Sequence, residues 1–125
     1  MPGIMNNGNE SFDVNMIFNR TARLLGDSVM DALKNTRVIV FGVGGVGSWA
    51  AEALARTGIG HLTIVDADDV SVTNINRQAE ATVETAGMVK VSAMEQILKS
   101  VNPDLDLRCI QGQYNQSTAG CFNLE

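Results

Sequence analysis

Apolar positions recur along the chain with two periods, and the changes of period mark its elements. Over Phe12–Leu25 the apolar residues Val14, Ile17, Phe18, Ala22 and Leu25 return at helical spacing, which predicts a short helix. A second short helix is expected over Ser28–Lys34, with Val29, Met30 and Leu33 on one face and Asp27 as its cap. Val38-Ile39-Val40-Phe41 is an unbroken β-branched and aromatic run, the pattern of a parallel strand buried on both faces. A glycine loop follows at once, Gly42-Val43-Gly44-Gly45-Val46-Gly47, and then a helix, Ser48–Thr57, stopped by Gly58. His61–Val65 reads as a second strand closing on Asp66.

Ala67–Thr85 shows no sustained period and is rich in Asp, Asn, Thr and Ser; a connection of that length is functional or mobile. Helical spacing resumes at Val91, Met94, Leu98 and Val101, and Asn102-Pro103 ends it. Leu105, Leu107 and Cys109 then alternate with Asp106 and Arg108, as in an edge strand. Residues 1–11 read as a flexible polar tail, 12–35 as N-terminal helices, 36–110 as a nucleotide-binding half-domain and 111–125 as an irregular segment. Leu124-Glu125 is read as a cloning scar.

The order β-α-β-loop-α-β gives an α/β fold, one Rossmann-like mononucleotide-binding half of a doubly wound parallel sheet. In the usual strand order Val38–Phe41 lies on an open edge. An exposed apolar edge is a liability, so the sheet is expected to be truncated, continuing in a longer protein or under a partner chain.

Composition narrows the class. Of the 125 residues 45% are hydrophobic and 18% charged, too apolar for disorder, while no apolar run is long enough to span a bilayer. No basic-then-apolar leader is visible, and two cysteines, Cys109 and Cys121, make neither a disulfide framework nor a CxxC pair, so a cytoplasmic setting is expected. The net charge of −5 is not, taken whole, the footprint of a nucleic-acid binder.

The chemistry concentrates after the first strand. A GxGxxG loop between a strand and a helix lets phosphate approach the backbone where free N–H groups and the helix dipole favour an anion, which assigns Gly42, Gly44, Gly45 and Gly47 to a phosphate cradle. Asp66, 24 residues after Gly42, is placed to accept hydrogen bonds from ribose hydroxyls, and Asp68 is a secondary candidate. That carboxylate suits NAD and ATP equally. A triphosphate with a departing pyrophosphate needs additional fixed cations, and Arg77 and Lys90 are the candidates, with Asn74 and Gln78 as neutral donors. No metal ligand set is assigned. His61 reads as an ordinary surface residue, Trp49 as packing, and both cysteines as structural or incidental.

Strand-GVGGVG-helix, then TIVDAD, then NINRQ, then a lysine thirteen residues past the arginine, resembles the adenylating domain of the ubiquitin-activating-type (ThiF-like) superfamily. Asn19-Arg20-Thr21 ahead of Leu24-Leu25-Gly26, with Gly44-Gly45-Val46-Gly47-Ser48, is most similar to its tRNA threonylcarbamoyladenosine dehydratases. The adenylyltransferases of sulfur-carrier proteins are the second likeness. The resemblance runs from about Phe18 to Pro103. It implies that Asp66 binds the ATP ribose, that Asn74 and Arg77 contact phosphates, and that Lys90 stabilises the charge on departing pyrophosphate. It further implies a homodimer in which Arg20 enters the neighbouring subunit's ATP site, a tRNA substrate, a sulfur-transfer protein as a further partner, and Mg²⁺ held by an Asp beyond Glu125. The remaining alternatives are a nicotinamide-dependent oxidoreductase on the same half-fold and a folded but non-catalytic fragment.

Overall fold

The computed structural model describes residues 3–5 and 11–122. Two short strands, β1 (Gly3–Met5) and β2 (Ser11–Asp13), pair antiparallel with Ile4 opposite Phe12. A stretch read from composition as a tail therefore holds backbone pairing. The single helix expected over Phe12–Leu25 is two pieces: a 3₁₀ turn, Val14–Phe18, and helix α1, Asn19–Leu25. Asp13 explains the split, because its carboxylate accepts from Asn15 N–H at 2.9 Å and starts the tighter turn. Helix α2 covers Asp27–Asn35. Its cap is Gly26, at φ +86°, and not Asp27, which lies in the first turn where a negative charge faces the positive end of the helix dipole.

Strands β3 (Arg37–Phe41), β4 (His61–Asp66) and β5 (Asp106–Gln111) form a parallel sheet in the order β3-β4-β5. The register runs from Arg37 opposite His61 to Phe41 opposite Val65, and from His61 opposite Asp106 to Asp66 opposite Gln111. Helix α3 (Gly47–Thr57) joins β3 to β4, and α4 (Lys90–Val101) precedes β5. This is the α/β half-fold expected from the sequence, with the first strand of the motif on the sheet's edge.

Alternation decides what each face does. Val38 and Val40, Leu62 and Ile64, and Leu107 and Cys109 share one face, and α3 and α4 pack over it through Ala51, Ala55, Val91, Met94 and Leu98. Leu62, Ile64, Met94 and Leu98 are wholly buried, and burying each contributes about 1.5–3 kcal/mol. The opposite face, with Ile39, Phe41, Thr63 and Arg108, is half-open. β3 was expected to be buried on both faces; its middle residues are only half-buried and Phe41 is exposed, because one edge and one face lack a neighbour among the described residues. Beyond β5 the chain is not featureless: Tyr114 and Phe122 stack on Phe41, at ring separations of 4.6 and 5.2 Å. No helix among the described residues is long and apolar enough to cross a membrane.

Candidate functional site

The glycine loop lies where β3 ends and α3 begins. Gly42 takes φ +89°, which only glycine adopts without strain, and its N–H donates to Val65 O at 2.7 Å across the sheet. A Cβ on Gly47 would run into the carbonyl of Gly42 and the Val40 side chain, so the turn has no room for any other residue. No side chain caps the start of α3, where Ser48 N–H and Ala50 N–H bond the carbonyls of Gly44 and Val46. These features suit an anion held on backbone amides.

Asp66 braces this loop. Its Oδ2 accepts from Val43 N–H at 2.9 Å and its Oδ1 from Asp68 N–H at 2.8 Å. A carboxylate has about four lone-pair directions, so each oxygen keeps capacity for a ligand hydroxyl. A cavity of about 380 Å³ opens beside it, lined in part by Gly42, Asp66, Asp68, Gly112, Gln113 and Tyr114. The last three were missed from the sequence. The signal that could have found them is positional: ligands of open α/β sheets bind beyond the carboxyl ends of the strands, and residues just after β5 occupy such an end.

Opposite the loop stands the segment 74–79. The Gln78 amide nitrogen faces Gly44, and the Arg77 stem faces Gly45. Two bonds tie this segment to the first turn of α3: Trp49 Nε1 donates to Arg77 O at 2.8 Å, and Ala79 N–H donates to Ser48 Oγ at 3.1 Å. Trp49, expected only to pack, is half-exposed and acts as a hydrogen-bonded anchor. The Arg77 guanidinium is exposed, its Nη1 donating to Thr73 O and Asn76 Oδ1, both at 3.1 Å. Those bonds hold the side chain in place and leave most of its five N–H groups free. Asn74 is buried, and its Oδ1 accepts from Ser71 N–H at 2.9 Å to close a capping box. Asn74 thus helps to build the turn that presents Arg77.

Lys90 opens α4 with 7% of its surface exposed, and its Nζ lies 4.0 Å from Asp68 Oδ2. The backbone repeats that link, Lys90 N–H donating to Asp68 O at 3.0 Å. The connection read as functional or mobile is tied down along its length. Val70 N–H donates to Met88 O, Gly87 N–H to Val70 O, Thr85 bonds Thr82 and the Glu80 carbonyl, and Val70, Ala81 and Ala93 form a small core. The glycines, Asp66, Asp68, Asn74, Arg77, Gln78 and Lys90 thus gather at one end of the sheet.

Arg20 is not among them. It lies exposed on α1, a helix with no buried residue. Phe18 and Ala22, on either side of it, line a pocket together with Met30 and Lys34 of α2, and Phe18 faces Gly58 ahead of β4, where the strands begin. His61, at that same end, is half-buried and paired with Asp106 at 2.8 Å. Burial and the neighbouring Glu95 carboxylate push the Cys109 thiol up to about 12, which keeps it protonated and unfit as a nucleophile. No group of three or more His, Cys, Asp or Glu residues able to hold a metal occurs among the described residues.

Known proteins resemble this chain in sequence and fold. The chain is 44% identical over 101 residues to the tRNA threonylcarbamoyladenosine dehydratase of Bacillus subtilis, covering 81% of this chain and 40% of that protein. It is 42% identical over 77 residues to the molybdopterin-synthase adenylyltransferase of Salmonella typhimurium, covering 62% of this chain and 31% of the relative. The crystal structure of E. coli tRNA N6-threonylcarbamoyladenosine dehydratase, TcdA, in complex with ATP superposes with a TM-score of 0.85 at 35% identity, covering 98% of this chain and 49% of that one. The chain therefore spans less than half the length of these relatives. With residues 18–123 matching the ThiF family, it belongs to that family.

Proposed function

We propose that this chain is the nucleotide-binding part of an ATP-dependent adenylating enzyme whose substrate carboxylate is the threonylcarbamoyl group on adenosine 37 of tRNA. The observation that carries the reading is the wall of Arg77 and Gln78 facing Gly45 and Gly44, with the buried Lys90 close by at Asp68. A dinucleotide site needs little positive charge beyond its pyrophosphate cradle, whereas a triphosphate that must lose pyrophosphate needs further fixed cations. The ATP bound by the E. coli relative and the names of the relatives support the nucleotide and the substrate.

In the proposed reaction a substrate carboxylate oxygen attacks the α-phosphorus of ATP. The bond to the β-phosphate bridging oxygen breaks, releasing pyrophosphate and leaving an acyl-adenylate. The substrate's own amide then attacks the acyl carbon, AMP leaves with the electron pair of the cleaved C–O bond, and a ring closes. The residues of this chain bind and orient. Backbone N–H groups of the glycine loop and the α3 terminus hold phosphate oxygens, Asp66 accepts from the ribose, and Gln78 and Asn74 border the phosphates. Arg77 and Lys90 offset the negative charge that accumulates on the leaving group, the largest kind of contribution an enzyme makes to such a step. Mg²⁺, when bound, would neutralise further phosphate charge, and the family resemblance assigns its carboxylate to a position beyond Glu125.

Helix α1, which carries Arg20, follows Phe18, which lies by Gly58 at the other end of the sheet, and this supports an action of Arg20 in a neighbouring subunit of a homodimer. With a net charge of −5, RNA affinity has to come from basic surface outside this chain or from the dimer, because such affinity rests on phosphate contacts. The test is pyrophosphate release by the full-length protein with threonylcarbamoyl-modified tRNA. Arg77→Ala is expected to abolish it, and wild-type rates in that variant would remove Arg77 from the mechanism. The likeness to the molybdopterin-synthase adenylyltransferase supports a second reading, activation of a sulfur-carrier protein's C-terminal glycine. Pyrophosphate exchange dependent on such a carrier, and silent with tRNA, would establish it instead.

A further inference from the structure

The first turn of α3 carries Trp49 with 51% of its surface in water, a poor use of a tryptophan if packing were its purpose. What the ring does make is a polar bond, its Nε1 donating to Arg77 O at 2.8 Å. An indole nitrogen can only donate, and here it takes a main-chain carbonyl of the segment that carries the site's exposed cation. Its neighbour Ser48 is wholly buried and accepts from Ala79 N–H at 3.1 Å. Consecutive residues of α3 thus grip the segment on either side of Gln78. Among the described residues these two are the hydrogen bonds that join 74–81 to the glycine loop or α3. The segment's other main-chain bonds, such as Arg77 N–H and Gln78 N–H to Asn74 O and Ala81 N–H to Gln78 O, do not reach either of them.

The two points are not equivalent. Ala79 packs against the main core and Gln78 beside it is buried, so that end is held by packing as well as by the Ser48 hydroxyl. Ile75, Asn76 and Arg77 are exposed. The Arg77 guanidinium bonds Thr73 O and Asn76 Oδ1, partners that belong to the same turn, so those bonds aim it within the turn and do not tie it to the phosphate cradle. At this end the tie is the indole bond. The cradle is close: a Cβ on Gly45 would sit 3.9 Å from both Cγ and Cδ of Arg77. A cation that meets charge developing in a transition state acts through its position, and a misplacement of about 1 Å can cost on the order of a hundredfold in rate.

We propose that Trp49 is a positioning residue for Arg77. Its indole N–H fixes the exposed turn 75–77 against the start of α3 and so holds the guanidinium beside the glycine loop, at the place of the phosphates. The inference rests on the ATP reading and adds to it the residue that sets where the arginine stands. Trp49 itself contacts no phosphate; its effect passes through the main chain of Arg77. Such a residue has two signatures. Its loss costs more in turnover than in ground-state binding, and it matters little once the guanidinium is gone.

The experiment is a double-mutant cycle in the full-length protein: wild type, Trp49→Phe, Arg77→Ala and the pair. ATP affinity is read by calorimetry, well below each protein's urea unfolding midpoint. Trp49→Phe keeps an aromatic ring and removes the donor. It is expected to weaken ATP binding about three- to tenfold in the wild-type background. In the Arg77→Ala background it should change affinity by less than about twofold. Pyrophosphate release with threonylcarbamoyl-modified tRNA gives the second readout, in which Trp49→Phe should lower kcat by about ten- to a hundredfold, more than the KM for ATP rises. A side chain that only supported the fold would lower the urea midpoint and leave the ATP affinity of the folded protein unchanged. The benzothienyl analogue of tryptophan at Trp49, with sulfur in place of N–H, repeats the test with the shape of the ring kept and is expected to match Trp49→Phe. Equal weakening of ATP binding by Trp49→Phe in the two backgrounds, or wild-type affinity in both folded donor-less proteins, would overturn the inference alone. Failure of the wild type to bind ATP at all would overturn the nucleotide reading and this inference with it.

Discussion

The two ends of the parallel sheet are built from similar materials and solve opposite problems. Where the strands begin, buried polar groups are satisfied. Asn102 is 4% exposed and its Nδ2 donates to Ala55 O and Ile59 O, at 3.3 and 3.5 Å, closing the carbonyl end of α3. Lys99, itself exposed, donates from Nζ to Pro103 O and Leu105 O, at 3.0 and 2.8 Å, and so satisfies carbonyls in the turn that follows α4. Where the strands end, buried polar groups are left open: Gln78 Oε1 and both Glu80 oxygens lack partners, and the start of α3 lacks a side-chain cap. Folding alone would favour satisfying these groups. Among the described residues unpartnered buried side-chain atoms occur only where the strands end, the end to which the nucleotide site is proposed to belong.

That division makes separate predictions for substitutions at each end, in order of their effect on folding. Gly47→Ala strikes the open end where the new methyl meets the Gly42 carbonyl and cannot be accommodated by a side-chain shift. A loss of about 3 kcal/mol is expected, with loss of ATP binding under conditions where the variant is still folded. Chemical denaturation and calorimetry check the two parts. Asn102→Ala at the closed end leaves the Ala55 and Ile59 carbonyls without that donor and should cost about 2 kcal/mol. Its ATP affinity, measured well below the unfolding midpoint, is expected to match wild type. Weakened binding in a folded Asn102→Ala protein would break the division.

The same contrast explains what the sequence could tell. The closed end and the core were legible because their information is periodic: Leu62 and Ile64 alternate, and Val91, Met94 and Leu98 return every three to four residues. The glycine loop and Asp66 were legible because backbone geometry demands those residue types at that spacing. What escaped was non-local or cancelled locally. Gly26 displaced Asp27 as the cap of α2 through a positive φ that no pattern announces. Segment 67–85 showed no period because its order comes from hydroxyl and main-chain bonds, such as Ser71 with Asn74 and Thr85 with Glu80, and from no stripe of apolar residues. Glu80 was not singled out at all, since burial of an isolated acid leaves no trace in sequence. Tyr114 fell in a polar stretch whose position after β5 mattered more than its composition. β3 misled in the other direction: its apolar run is written for two covered faces, and the described residues cover one.

Arg77→Ala gives the smallest expected change in stability and the sharpest test of the division. The guanidinium is exposed and bonded only to Thr73 O and Asn76 Oδ1, within its own turn. The bonds that lash the segment to α3 use the backbone carbonyl of Arg77 and the N–H of Ala79, which the substitution retains. The unfolding free energy should therefore stay within about 0.5 kcal/mol of wild type. Nucleotide affinity should nonetheless fall, and Arg77→Lys should restore it only in part, because a point charge replaces a planar fork of donors. A drop of 2 kcal/mol or so in stability would mean that the side chain is a structural strut. In that case the open end would owe its shape to the very residue assigned to its ligand, and the separation of the two ends would fail there first.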